Sequence, residues 1–116
     1  MLKKEAKSFG DAIHGLVHLF RTERHAQVHV AITVGVIVAG CILKISPTEW
    51  MFICTAIAVV LGAEAFNTAI EKLCDVVHPD KHKQIGLVKD MAAGAVLLCA
   101  GIAVIIGCII FIPKII

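Results

Sequence analysis

The chain has 116 residues, 59% of them hydrophobic and only 17% charged, with 11 Lys and Arg against 9 Asp and Glu. One domain is the most that this length admits. An apolar share so far above the roughly 45–50% of globular proteins excludes an ordinary soluble fold and reads as a polytopic membrane protein.

Residues 2–24 are too polar to span a bilayer, yet their apolar positions fall at helical spacing. Phe9, Ala12, Ile13, Leu16, Leu19 and Phe20 stand opposite Lys7, Asp11, His14, His18 and Arg21. This pattern predicts an amphipathic helix lying in the membrane interface. Binding of nucleic acid by the same basic residues would leave the apolar face unexplained, so no nucleic-acid partner is expected. The N-terminus stays charged too long before any apolar run to read as a secretory signal.

Residues 28–45 form an apolar run of about 18 residues, the lower end of what crosses ~30 Å of hydrocarbon. Lys44 near its end can snorkel. Ser46-Pro47-Thr48 breaks the chain and supplies a helix cap. A turn this short returns the second span, residues 49–72, antiparallel beside the first, with Trp50 as an interfacial anchor. The second span is apolar or small as far as Ala63 and then acquires Glu64, Asn67 and Glu71. Residues 76–87 read as a polar loop containing His78-Pro79-Asp80-Lys81-His82-Lys83. Residues 90–112 make the third span, closed by Pro113-Lys114 at the far interface. Five cysteines (Cys41, Cys54, Cys74, Cys99, Cys108) include no CxxC pair, and four of the five sit inside apolar runs. They read as small apolar fillers.

Charge bias sets the expected orientation. Lys3, Lys4, Lys7, Arg21 and Arg24 precede the first span, and Lys72, Lys81, Lys83 and Lys89 surround the loop after the second. Only Lys44 and Lys114 lie on the opposite side. By the positive-inside tendency the N-terminus and the second loop are cytoplasmic. Every unusual polar residue then lies on the side where ATP is found. Three thin helices cannot surround a polar site, so a homo-oligomer is the natural way to shield Glu64.

At ~100° per residue, positions 64, 67, 71 and 75 project within an arc of about 60–80°. Glu64, Asn67, Glu71 and Asp75 therefore form one polar stripe running from within the membrane toward the cytoplasm. A solvated helix end explains Asp75 and Glu71 but not Glu64. Carboxylates bind hard cations, and magnesium commonly arrives through one or two of them plus nucleotide phosphates. Glu64, the deepest and least hydrated, is the candidate general base. Lys89 and Asp90 at the mouth of the third span add a cation for phosphate charge and a ligand or orienter. Glu23, between Arg21 and Arg24, adds an acid at the same level. Such parts suit phosphoryl transfer, where positioning and charge neutralisation are most of the catalysis. Neither GxxxxGK[ST] nor GxGxxG is present. His78 and His82 are spaced HxxxH, but around Pro79 they read as solvated loop residues. His25 and His29 receive no catalytic role.

The segment Glu64-Ala-Phe-Asn67-Thr-Ala-Ile-Glu71, followed by Asp75 and by Lys89-Asp90-Met-Ala-Ala-Gly-Ala-Val, resembles the small bacterial diacylglycerol and undecaprenol kinases. The signature there is E-x-x-N-[ST]-A-I-E, then Asp, then A-K-D; Val88 departs from it conservatively, and so does Gly94. The resemblance runs from Gly15 to the third span. It implies an all-α homotrimer of three-span protomers in the bacterial cell membrane, with a surface helix and active sites shared between subunits. By it, Glu64 is the general base toward a lipid hydroxyl, and Glu23 and Glu71 ligate Mg2+. Asn67, Glu71, Asp75, Lys89 and Asp90 contact the ATP or orient the site, and His82 stands where the family has a histidine near the adenosine. The Glu23-Arg24 start, His29, Glu49-Trp50 and Phe111-Ile-Pro113-Lys114 look like the branch that phosphorylates undecaprenol; diacylglycerol is the alternative substrate. A rival from another class is a small proton-coupled transporter built on an intramembrane Glu. Such a protein wants its acid at the midplane, whereas here the polar groups crowd one face.

Overall fold

Helical periodicity carries nearly the whole chain. The computed structural model describes residues 1–116 as four helices: α1 (Leu2–Thr22), α2 (Arg24–Ile42), α3 (Pro47–Val77) and α4 (Lys83–Ile115). The last three are each long and apolar enough to cross a membrane, and the chain is an all-helical, multi-pass membrane protein.

The α1–α2 break is a single residue. Glu23 has extended backbone (φ −100°, ψ 118°) and serves at once as the C-cap of α1 and the N-cap of α2. Gln27 secures the corner, its side-chain amide donating to the carbonyls of Phe20 and Arg21 at 3.3 and 3.1 Å. The first span therefore begins at Arg24, four residues before the expected apolar run, because helix continues through polar residues once the corner is capped. At its other end Lys44 adopts a left-handed conformation (φ 52°), and the Ile45 amide returns to the Gly40 carbonyl. That reversal closes the helix end tightly.

Ser46 starts α3 with a reciprocal capping box. Its hydroxyl accepts from the Glu49 amide, and the Glu49 carboxylate accepts from the Ser46 amide at 2.9 Å. Two backbone donors that would otherwise be orphaned are thereby satisfied. α3 does not stop at residue 72 but continues to Val77, carrying the polar stripe on one unbroken helix. The loop expected at 76–87 shrinks to residues 78–82. His82 is the reason: its Nδ1 accepts from the amides of Gln84 and Ile85 and starts α4 seven residues before the expected span. Pro113 lies inside α4, which runs on to Ile115. Pro113 has no N–H to give the Ile109 carbonyl, but so near the terminus any bend it causes moves only the last residues of the helix.

α3 and α4 form the closest pair, α2 packs on α3, and α1 touches both α2 and α3. α2 and α4 do not pack on each other. A small apolar core, Ile45, Ile53 and Ile110 with Trp50 against it, lies at the capping-box end. Lys114 and Glu49 pair there at 3.2 Å. Only 11 of the 116 residues are buried, and three of those are polar: Glu64, Asn67 and Thr68.

Candidate active site

The three buried polar residues come from the second half of α3 and share one face. Along that face exposure rises from Glu64 and Asn67, both buried, through half-buried Glu71 to exposed Asp75. Helical rise separates the ends of the stripe by roughly 16 Å.

At the buried end, Glu64 is 4% exposed. Its Oε1 accepts from the Thr68 hydroxyl at 3.5 Å, one turn along the same helix. Its Oε2 faces α2, where His29 Nε2 stands 3.6 Å away. One turn further, the Asn67 side-chain amide donates to Glu71 Oε1 at 3.4 Å. Asn67 Oδ1 is buried without a hydrogen-bond partner. A buried acceptor left unpaired costs on the order of 1–3 kcal/mol, so in a working site it has a use.

At the exposed end, Lys89 of α4 donates to Asp75 of α3, tying the two helices at the mouth of the site. Asp90 is exposed and lines, with Lys89 and His82, an open cavity of about 770 Å³ formed by the 78–82 turn and the start of α4. His78 and His82 lean together there, ring centroids 4.8 Å apart. His82 is therefore more than a solvated loop residue: it is the N-cap of α4 as well as part of the cavity wall.

Glu23 lies at the α1–α2 corner, and its carboxylate pairs with Lys72 of α3 at 3.2 Å. Lys72 is next to Glu71 in sequence but turned toward another helix. Glu23 and Glu71 thus belong to no cluster of three metal-ligating side chains.

Of two residues at Glu64, Thr68 was not singled out from the sequence and His29 was given no catalytic role. Thr68 is four residues after Glu64, so helical spacing alone could have found it. His29 is 35 positions away in the chain, and only the antiparallel pairing of α2 with α3 brings it there.

An apolar groove completes the region. A cavity of about 220 Å³ runs between α2, α3 and α4, with His29 at its polar end and Phe111 at its far end. The groove exists because α2 and α4 leave a gap over α3.

The buried carboxylate of Glu64 stands behind His29 at the end of the apolar groove, and acids and a lysine lead from it to an open polar cavity, so an apolar approach and a polar one converge on α3. Comparison with known proteins decides the family. The model of the family described as prokaryotic diacylglycerol kinase matches residues 10–111. The chain belongs to that family. It is also 40% identical over 113 residues to the undecaprenol kinase of Bacillus subtilis, covering 97% of this chain and 92% of that one. The diacylglycerol kinase of Synechocystis is 34% identical, over 92% of this chain and 62% of its own. The diacylglycerol kinase of Escherichia coli K12 is 32% identical, over 72% and 68% respectively. The chain is therefore a lipid kinase, and family membership decides against the transporter.

Proposed function

We propose that this kinase transfers the γ-phosphoryl group of ATP to the hydroxyl of undecaprenol at the cytoplasmic face of the cell membrane. The observation that carries the reading is Glu64: a carboxylate 4% exposed, beside an apolar groove and in line with the polar stripe. A lipid chain held in that groove brings its alcohol to the only carboxylate at that depth. The undecaprenol kinase of Bacillus subtilis, matched over nearly the full length of both chains, supports this substrate over diacylglycerol.

Glu64 takes the proton of the lipid hydroxyl as the lipid oxygen bonds to the γ-phosphorus. The bond from that phosphorus to the β–γ bridging oxygen breaks, and ADP leaves with the electron pair. Desolvation of Glu64 by its neighbours strengthens its interaction with the hydroxyl. Lys89 and Asp90, at the wall of the open cavity, hold and orient the nucleotide, with His82 beside them. Asp75 fixes Lys89.

The oxygens present fit Mg2+. Glu71 offers a carboxylate, and Asn67 Oδ1 is a buried hard donor without another partner. Glu23 completes the set when phosphate draws Lys72 away from it. Magnesium commonly binds through one or two carboxylates plus substrate phosphates, and it neutralises charge developing on them. The protomer functions as a homotrimer, with α1 lying along the cytoplasmic interface.

The test is transfer of radiolabel from ATP to undecaprenol and diacylglycerol offered in parallel to the purified protein. Label is expected predominantly in undecaprenyl phosphate; preferential labelling of diacylglycerol would reverse the substrate assignment. Glu64→Gln is expected to fold and bind nucleotide while losing about 10²–10⁴-fold in turnover, the usual scale of general-base catalysis. Wild-type turnover by that variant removes Glu64 from the base role.

A further inference from the structure

The two oxygens of Glu64 are held differently. Oε1 is engaged by Thr68 on its own helix, whereas Oε2 has only His29, on a different helix, within 3.6 Å. The imidazole is the more open of the pair, its side chain 20% exposed against 5% for Glu64. It also lines the apolar groove, which Glu64 does not. His29 thus stands between the carboxylate and the route by which a lipid alcohol arrives. Ala26, one turn earlier on α2, is completely buried, and the His29 carbonyl accepts from the Thr33 hydroxyl at 2.8 Å.

We infer that His29 is a positioning residue for Glu64, its Nε2–H donating to Oε2 so that the carboxylate is aimed toward the mouth of the groove. This rests on the reading of Glu64 as the base. With the proton on Nε2, Nδ1 is a free acceptor on the side away from the carboxylate. A separation of 3.6 Å closes to a hydrogen bond with a small rotation of either side chain, and catalytic hydrogen bonds characteristically tighten when substrate binds. Thr68 alone would leave the carboxylate free to swing about one anchored oxygen. Two donors from two helices fix its plane.

Loss of such an orienting contact lowers turnover without weakening substrate binding. The full-length protein, reconstituted with undecaprenol and Mg-ATP, is compared as wild type, His29→Ala and His29→Gln. His29→Ala is expected to lower kcat by about 10- to 100-fold, the range felt when an orienting partner is removed, with both KM values unchanged. His29→Gln, which keeps an N–H donor of similar reach, is expected to return kcat to within about threefold of wild type. His29→Leu fills the space without a donor and substitutes for the alanine variant if that fails to fold. Equal loss in the Gln and apolar variants, an unaltered kcat in His29→Ala, or a loss confined to the lipid KM each overturns the assignment. If wild type itself labels no lipid, the phosphoryl-transfer reading fails and the role of His29 falls with it. A separate failure of His29 against an active wild type leaves that reading standing.

Discussion

Asn67 and Glu71 show how burial and charge divide the work along one helix face. Asn67 donates to Glu71 and keeps a buried oxygen unpaired, so the pair presents two hard oxygens with a fixed relation. Glu71→Ala removes the charged member and leaves the neutral one. The Mg2+ concentration giving half-maximal activity is then expected to rise at least about tenfold, equivalent to ~1.4 kcal/mol of lost binding. A magnesium titration superimposable on wild type would take Glu71 out of the metal site. Glu23 differs, because its carboxylate is already paired with Lys72.

Among the elements, α3 joins two unlike ends. Its start is fixed by the Ser46–Glu49 capping box and by Trp50, which packs so closely on α2 that a Cβ on Gly40 would meet the indole at 2.7 and 2.9 Å. Its other end carries the stripe, with Glu64 about 21 Å from Trp50 along the helix. Gly40→Ala must push the indole or α2 aside, and overpacking of this kind costs about 1–3 kcal/mol. A lower melting temperature in detergent is expected, with near-normal turnover by the folded fraction, since the strain arises far from Glu64. An unchanged melting temperature would show that the indole swings away freely.

The whole chain is elongated and exposes most of its apolar surface. Its radius of gyration is 17.2 Å, against about 13 Å for a compact globular chain of this length. α4 is its most hydrophobic span, and nearly all of its apolar length is left uncovered by the rest of the chain. Such surface suits lipid and neighbouring protomers, and the proposed homotrimer provides the latter. If sites are shared between subunits, a co-reconstituted mixture of Glu64→Gln and Asp90→Asn proteins should regain activity that neither shows alone. A mixture as inactive as its components would place each complete site within one chain.

Hydropathy and helical period determined much by themselves: three spans, an N-terminal helix, and the alignment of Glu64, Asn67, Glu71 and Asp75. These depend on residues near one another in the chain, where one regular backbone fixes relative direction. Helix ends were less legible, because His82 and Glu23 act through caps that extend helix into polar sequence. Only tertiary structure decided that His29 meets Glu64, that Lys72 holds Glu23, and that α2 and α4 leave a groove over α3. Those pairings depend on the register and spacing of separate helices, and hydropathy, which varies little along an apolar span, carries almost no information about either.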